Sequence, residues 1–179
     1  MPYDGTDYFA VDALLGDDER AVRATVRRFV DQEFLPLVRD HFRAGTFPIE
    51  LVPRLAELGC FGPTIPVEYG GAGLNSVCYG LMAQELERGD SGLRSFASVQ
   101  SSLVMYPILS FGSEAQKRYW LPRLARGTAI GCFGLTEPDY GSNPGGMITR
   151  ARPEHGGFVL NGTKRWITNG TIEIGRAHV

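Results

Sequence analysis

The chain has 179 residues, of which 43% are apolar, and its formal net charge at pH 7 is −2. These values predict a globular protein of one or two small domains and argue against nucleic acid or an anionic membrane as a partner. No stretch is apolar over the length of a membrane span, and the first residues lack signal or transit character, so we expect a cytoplasmic protein. The cysteines are isolated among apolar neighbours without metal-ligand spacing, which predicts buried thiols in a reducing compartment: Cys60, Cys78 and Cys132.

Residues 17 to about 127 have the apolar spacing of helices. Asp17 or Asp18 can cap a first helix that runs to about Glu33. A short helix is expected from Ile49, with Gly59 as its left-handed cap. Three longer helices should follow: about 76–88, ended by Gly89; from Asp90 or Ser91 to about 110, with a bend at Pro107; and a last helix to about 124, opened by the capping box Ser113-Glu-Ala-Gln116.

From residue 129 the pattern changes to that of strands. Short strands are predicted at 130–135 and 147–152. A hairpin is predicted from 157–160 and 163–167, because the Asn161-Gly162 pair between them favours a type I′ turn. The sequence therefore predicts an α+β protein, with an all-α helical domain over 1–128 and the first part of a β domain over 129–172.

The final residues, 173–179, read Glu-Ile-Gly-Arg-Ala-His-Val and do not continue the strand expected at Thr171-Ile172. One frame of a common sequencing-library adapter encodes Ile-Gly-Arg-Ala-His-Val. We therefore expect 173–179 to be a non-native tail from adapter read-through, and the natural protein to continue. A genuine short tail is the alternative.

Two polar segments follow β-like sequence: Phe133-Gly-Leu-Thr-Glu-Pro-Asp-Tyr-Gly-Ser-Asn143 and Asn161-Gly-Thr-Lys-Arg-Trp-Ile-Thr-Asn169. They predict two loops that close on one flat polar ligand. The first resembles the GLTEPxxGSD flavin loop of acyl-CoA dehydrogenases, and the second resembles the NGxKxWITN segment of the same family, in the family's order and spacing. The resemblance implies FAD as the cofactor and a β-barrel-like middle domain after the helical domain.

The residue chemistry agrees with a flavin. The hydroxyls of Thr136 and Thr168 and the Leu135 amide suit the polar edge of an isoalloxazine ring. Gly141-Ser142 permits close approach of the backbone to a phosphate, and Trp166 offers an aromatic wall. The alternative is that Thr and Trp are only strand formers and Gly-Ser a simple turn. The resemblance implies these cofactor-binding residues: Phe133, Leu135, Thr136, Gly141, Ser142, Trp166, Ile167 and Thr168.

Two departures from the family pattern occur in the first segment. Asn143 stands where many relatives have Asp, and Asp139-Tyr140 is bulkier than the usual small polar pair. Neither removes a hydroxyl or glycine that the site requires. Glu137 adjoins the loop, but the family does not use this position as its base, and Glu-Pro indicates a structural corner.

Arg94 is the only charged residue between Asp90 and Glu114, on an otherwise apolar or small helix. A buried guanidinium requires an anionic partner. A local pair with Asp90, a pair with Glu87 across the bend, and recognition of a substrate carboxylate all meet that requirement.

The segments 84–95 and 98–105, with Gly62-Pro-Thr-Ile65 and Cys132-Phe-Gly-Leu135, resemble glutaryl-CoA dehydrogenases. The matching arginine of that subfamily binds the distal carboxylate of the glutaryl chain. The resemblance therefore implies these substrate-binding residues: Glu87, Arg94, Ser95 and Ser142.

The resemblance covers nearly all of residues 13–172 of a family chain about twice this length. It implies oxidative decarboxylation of glutaryl-CoA to crotonyl-CoA and CO₂, with a hydride passing to FAD and electrons leaving through an electron-transferring flavoprotein. The catalytic base belongs to the family's C-terminal helical bundle, so no catalytic residue is assigned here. We expect a homotetramer for the full-length enzyme and an inactive fragment for this chain. The alternatives are another short-chain acyl-CoA substrate, or a non-catalytic flavin- or CoA-binding module.

Overall fold

The computed structural model describes residues 8–171, so the predicted tail at 173–179 lies outside the described residues. Seven α-helices are described there: α1 Asp17–Phe29, α2 Leu35–Ala44, α3 Val52–Glu57, α4 Ser76–Gly89, α5 Ser91–Ser98, α6 Tyr106–Phe111 and α7 Glu114–Ala125. Two strands follow them, β1 Arg150–Glu154 and β2 Gly157–Asn161. Within 8–171, no helix has the length and apolar character needed to cross a membrane.

The first helical run, from Asp17 through α2 to Ala44, is longer than the predicted first helix. Its N-cap is Gly16, whose N–H donates to the Glu19 carboxylate at 2.8 Å, so the prediction of Asp17 or Asp18 as the cap is wrong. The helix does not end near Glu33, because α1 passes through the π-helical turn Val30–Phe34 into α2. The proline ring of Pro36 would collide with a carbonyl four residues earlier in a regular α-helix, and the wider turn lies at that point.

The same arrangement occurs between α5 and α6. The predicted helix from Ser91 continues to Phe111, but through the π-helical stretch Val99–Met105, which immediately precedes α6 and its Pro107. Prediction of this helix is confirmed, and the π-helical stretch lies directly before the predicted bend at Pro107. Such segments often occur at functional sites.

Most predicted helix ends are confirmed. Gly59 has φ +73° after α3, and the Cys60 N–H donates to the Leu55 carbonyl at 3.0 Å, which closes a Schellman-type end. Ser113 and Gln116 form the predicted capping box at the start of α7, with bonds of 3.3 and 2.8 Å. Asp90 caps α5 by accepting from two backbone N–H groups.

The helices enclose one apolar core. Phe96 of α5 is at its centre, with its ring stacked on Phe47 at 4.6 Å and edge-on to Phe61 at 5.6 Å. Burying each such ring contributes about 1.5–3 kcal/mol. Helices α1 and α4 pack on each other across this core. They hold α5 and the following π-helical stretch against the segment that begins at Ile130.

The sheet differs from the prediction. β1 and β2 are antiparallel, with Glu154 opposite Gly157, and the turn between them is His155-Gly156. Both turn residues have positive φ, 49° and 79°, as a type I′ turn requires. The predicted turn at Asn161-Gly162 is therefore wrong. The 147–152 strand prediction is correct only where it overlaps β1.

The predicted strands at 130–135 and 163–167 are not strands. Their backbone groups bond to side chains and to single loop partners instead of to a ladder. The Gly131 N–H donates to Gln100 Oε1 at 2.8 Å, and the Arg165 N–H donates to the Thr136 carbonyl at 2.9 Å. A strand forms when successive backbone groups pair with one neighbouring strand. Here separate partners bind these backbone groups, and no neighbouring strand is needed.

The cysteines are buried to different degrees. Cys60 and Cys78 are buried, as predicted, whereas Cys132 is only half-buried. Burial raises the pKa of the Cys60 thiol to about 12, which keeps it protonated and unreactive at neutral pH.

Candidate functional site

A pocket of about 240 Å³ lies between the π-helical stretch and the two polar segments. Two of its lining residues, Val99 and Leu103, come from the helix and were not predicted. The other five are predicted flavin-site residues, which the structure brings together: Phe133, Leu135, Thr136, Trp166 and Thr168. The pocket therefore has an apolar floor, two hydroxyl groups and an aromatic wall.

The two segments are joined by Lys164. Its ammonium donates to the Leu135 carbonyl at 3.0 Å and to Glu137 Oε1 at 2.9 Å. The bond from the Arg165 N–H to the Thr136 carbonyl lies beside these contacts. The loop that carries Thr136 is thus fixed to the loop that carries Thr168 at three points.

Glu137 is the anchor of this junction. Its side chain is 1% exposed, and it accepts the backbone N–H groups of Ile148 and Thr149 at 2.8 and 3.0 Å. The Thr149 hydroxyl, these N–H groups and the Lys164 ammonium lower the pKa of Glu137 to about 2. Glu137 is not among the residues that line the pocket, and its carboxylate is held ionised by structural partners.

Trp166 has an unusual backbone. Its φ is +59°, which is rare for a bulky residue and is found where the surroundings enforce it. Its ring is 78% exposed and has the Arg165 guanidinium 4.6 Å from its centre. Trp166 therefore presents an exposed aromatic side chain at the edge of the pocket.

Three predicted cofactor residues do not line this pocket. Ile167 is half-buried beside it, while Gly141 and Ser142 lie on an exposed turn after Tyr140. The bulk of Tyr140, a departure from the family pattern, is accommodated by Gly146, where a Cβ would come within 2.4 Å of the tyrosine ring. Gly141 has open space around its Cα, as close approach of a phosphate requires.

Arg94 is paired with Glu87. Its Nε lies 2.7 Å from Glu87 Oε2, and its Nη1 donates to the Ser98 hydroxyl at 3.3 Å. Ser91 donates to the other Glu87 oxygen at 2.6 Å. The Ser91 hydroxyl and then Arg94 lower the pKa of Glu87. Of the two local pairs considered from the sequence, the pair with Glu87 is present. The Arg94 side chain is 36% exposed.

The guanidinium keeps part of its bonding capacity. Glu87 and Ser98 bind Nε and Nη1, and within the described chain no hydrogen bond is formed by Nη2. Arg94 and Ser98 also line a small cavity of about 10 Å³ between α4 and α5. Ser95 lies on the same turn, where its carbonyl accepts from the Ser98 hydroxyl at 3.2 Å.

A second buried carboxylate was not singled out from the sequence. Glu85 of α4 is completely buried. It accepts two hydrogen bonds from Arg27 of α1, at 2.9 and 3.0 Å, and one from Arg88 at 2.9 Å. This network holds α4 against α1 and thereby fixes the end of α4 that carries Glu87.

Two family models match the chain. Residues 16–128 match the acyl-CoA dehydrogenase N-terminal domain, and residues 132–174 match the acyl-CoA dehydrogenase middle domain. The chain belongs to the acyl-CoA dehydrogenase family. The predicted family and fold class, a helical domain leading into the start of a middle domain, are confirmed.

Relatives of different acyl-CoA specificity resemble this family member. Short-chain specific acyl-CoA dehydrogenase of Rattus norvegicus mitochondria is 39% identical over 87% of this chain and 38% of its own length. Glutaryl-CoA dehydrogenase of Mycobacterium smegmatis in complex with FADH2 is 56% identical, with a TM-score of 0.89 over 92% of this chain and 42% of that chain. Butyryl-CoA dehydrogenase of Megasphaera elsdenii is 35% identical, with a TM-score of 0.82 over 89% and 43% of the two chains.

The acyl-CoA dehydrogenase chain described here spans about two-fifths of the length of these relatives. The FADH2 in the Mycobacterium structure supports FAD as the cofactor. The pocket residues fit that cofactor, because two threonines and aromatic side chains meet at one opening.

Proposed function

We propose that this chain forms the flavin-facing and acyl-facing part of an FAD-dependent acyl-CoA dehydrogenase that acts on glutaryl-CoA. The observation that carries the proposal is the convergence of Thr136, Trp166 and Thr168 on one pocket beside the helix that follows Arg94. Because the chain spans about two-fifths of its relatives' length, the activity is a proposal for the complete enzyme.

The pocket residues have separate tasks in this proposal. Thr136 and Thr168 hydrogen-bond the polar edge of the isoalloxazine ring, together with the Leu135 N–H. Lys164 holds the Leu135 carbonyl, which fixes the peptide unit between Leu135 and Thr136 at the edge of the pocket. Trp166 and Ile167 flank the ring, Phe133 closes the apolar side, and Gly141-Ser142 approaches the pyrophosphate. Bound FAD supplies the hydride acceptor for oxidation of the acyl chain.

Arg94 selects the substrate in this proposal. A carboxylate at the end of an acyl chain enters an apolar cleft only if a cation receives it. Arg94 is held by Glu87 through Nε, which leaves the far side of the guanidinium for the glutaryl carboxylate. Ser95 and Ser142 complete the substrate contacts inferred from the family resemblance.

The rest of the reaction follows from the substrate class. Loss of a proton and a hydride from glutaryl-CoA gives an unsaturated acid, whose carboxylate leaves as CO₂, and the resulting carbanion takes up a proton to give crotonyl-CoA. Electrons then pass to an electron-transferring flavoprotein, and the complete enzyme is a homotetramer. No residue of this chain is assigned as the base.

The test of the substrate is Arg94→Met in the complete enzyme, with glutaryl-CoA and butyryl-CoA compared in steady-state kinetics. We expect kcat/KM for glutaryl-CoA to fall by the factor that corresponds to a loss of about 2–4 kcal/mol in transition-state binding. The loss arises because the substrate carboxylate no longer has a charged partner. Butyryl-CoA lacks the carboxylate and should lose far less. The matched control is Arg118→Met, because Arg118 is a surface arginine paired with Glu114 on α7.

A second candidate is a dehydrogenase of uncharged short-chain acyl-CoA, which the rat and Megasphaera relatives favour by their names. In that case Arg94→Met should affect both substrates equally, and the melting temperature should fall because only the Glu87 pair is lost. That outcome would remove the glutaryl assignment and leave the flavin assignment intact.

The flavin assignment has its own test. The complete enzyme should purify with bound FAD, whereas the 179-residue chain alone should hold FAD weakly or not at all. A 179-residue monomer that binds one FAD per chain and is active would contradict the proposal that further residues are required. A yellow, inactive monomer would favour a non-catalytic flavin-binding module.

A further inference from the structure

We propose that Gln100 and Asn169 are positioning residues that hold the flavin-facing loops by binding the two peptide units on either side of the Gly131 Cα. The Gly131 N–H donates to Gln100 Oε1 at 2.8 Å, and the Gly131 carbonyl accepts from Asn169 Nδ2 at 3.3 Å. The proposal rests on the proposed function in one respect, namely that FAD binds in the adjacent pocket.

Gln100 is a fully buried side chain whose carboxamide makes three hydrogen bonds. It is 0% exposed, and its Nε2 donates to the carbonyls of Leu124 at 3.0 Å and Ala129 at 2.8 Å. With the Gly131 N–H on Oε1, three bonds fix the chain as it leaves α7. A buried amide is tolerated only with such partners, because each unpaired group would cost the protein stability.

The position of Gln100 connects these bonds to the pocket. It lies on the π-helical stretch Val99–Met105, next to Val99, which lines the pocket. The stretch therefore presents an apolar side chain to the pocket and, at the next residue, a carboxamide to the loop. A shift of this stretch would move both.

Asn169 provides the opposite contact. It is 8% exposed and has φ +69°, a left-handed conformation that Asn adopts more readily than most residues. It follows Thr168 directly, so the residue that lines the pocket and the residue that holds Gly131 are neighbours. The two carboxamides thus link the helical domain, the 131–136 segment and the 161–169 segment.

Gly131 itself has no space for a side chain. A Cβ at this position would come within 2.5 Å of Val104 Cγ1. The close approach of its backbone to the helix is what allows the short bond to Gln100. The fixed backbone at Gly131 therefore constrains Phe133 and Thr136, which follow it by two and five residues. Errors of about 1 Å in the placement of binding groups reduce catalytic rates strongly.

The experiment uses two variants of the complete enzyme. Gln100→Glu keeps the shape and the acceptor but replaces the Nε2 donor with an oxygen, and Asn169→Ala removes the second contact. Exposed matched controls are Gln84→Glu on α4 and Asn161→Ala at the end of β2. The readouts are amide hydrogen exchange of residues 131–136 in the flavin-depleted protein, the FAD dissociation constant, and the visible flavin spectrum.

We expect faster exchange over 131–136, a rise in the FAD dissociation constant of at least about tenfold, and a shifted flavin spectrum in both variants but in neither control. Because both act through one residue, Gly131, the loss of affinity in the double variant should be smaller than the product of the two single losses. If Gln100→Glu does not fold, Asn169→Ala decides alone.

Unchanged exchange over 131–136 in Asn169→Ala would overturn the proposal. An FAD affinity within about twofold of the unmodified enzyme would also overturn it, even if the melting temperature fell. If the unmodified enzyme binds no FAD, the proposed function fails, and the exchange comparison still decides whether the two carboxamides hold the loop.

Discussion

The Lys164 ammonium lies 2.9 Å from Glu137 Oε1, and this ion pair connects the two sequence segments that carry the predicted flavin contacts. Both partners are largely removed from water, with 24% and 1% of their side chains exposed. The pair therefore sets the distance between Thr136 and Thr168, which are the two hydroxyl groups of the pocket.

Replacement of this carboxylate should change the acid stability of the loops. The pKa of Glu137 is lowered from 4.5 to about 2 in the folded protein. A lowered pKa contributes stability that is present above pH 4.5 and is lost as the pH falls from there towards 2. Glu137→Gln should lower the stability at pH 7 and flatten its dependence on pH in that window.

Thermal unfolding from pH 7 down to pH 2 measures this effect, with Glu68→Gln as a control at an exposed carboxylate. An unchanged slope in Glu137→Gln would show that the Glu137 contacts do not favour the ionised form.

Removal of one pocket hydroxyl should weaken flavin binding. In the complete enzyme, Thr168→Ala should weaken FAD binding or slow flavin reduction. The binding free energy or the activation free energy of reduction should become less favourable by about 1–3 kcal/mol, the cost of one lost hydrogen bond to a buried polar group. Thr163→Ala is the matched control, because Thr163 is exposed on the same segment and does not line the pocket. Equal affinity and equal reduction rate in both variants would remove Thr168 from the site.

The buried Glu85 should contribute to stability and not to specificity. Glu85→Gln should lower the free energy of unfolding by about 2 kcal/mol, which is less than the cost of a fully buried broken pair, because Arg27 and Arg88 remain partly hydrated. Glu57→Gln, at an exposed pair with Arg54, should change it by less than about 1 kcal/mol. Denaturant unfolding of the two variants tests this difference, and similar losses in both would contradict it.

Two glycines should respond to alanine in opposite directions. Gly59 has φ +73° and would bring a Cβ within 3.2 Å of the Ala72 side chain, so Gly59→Ala should destabilise the protein by about 1–2 kcal/mol. Gly80 lies inside α4 with open space around it, so Gly80→Ala should stabilise the protein by about 0.5–1 kcal/mol. Chemical denaturation of both variants checks the signs, and the same sign in both would be inconsistent with these backbone assignments.

Features with a strong local rule could be predicted from the sequence. Ser113 with Gln116 closes a capping box, and Gly59 ends a helix, because the bonds involved lie within a few residues. The flavin pocket could be anticipated from the two polar segments, although Val99 and Leu103 on its other side could not. Apolar residues on a helix indicate burial and not the ligand that they face.

Features that depend on distant partners were missed. Residues 130–135 have strand-like composition, but Gln100, about thirty positions earlier, binds the Gly131 N–H and the Ala129 carbonyl just before the segment. The hairpin turn formed at His155-Gly156 because register depends on which strands meet, and the turn preference of Asn161-Gly162 was not decisive. A lone Gln on a helix otherwise made of apolar and small residues was the signal that could have identified the buried amide.

The π-helical stretch Val99–Met105 has a consequence for insertions and deletions. A π-helical turn holds about one residue more than an α-helical turn, so loss of one residue from this stretch would restore regular helical bonding and leave the helix beyond it in nearly the same rotational phase. The ring of Pro107 would then collide with a carbonyl of the preceding turn. A change in length is therefore absorbed within the stretch, and its cost falls on Pro107 and on the contact of Leu103 with the pocket.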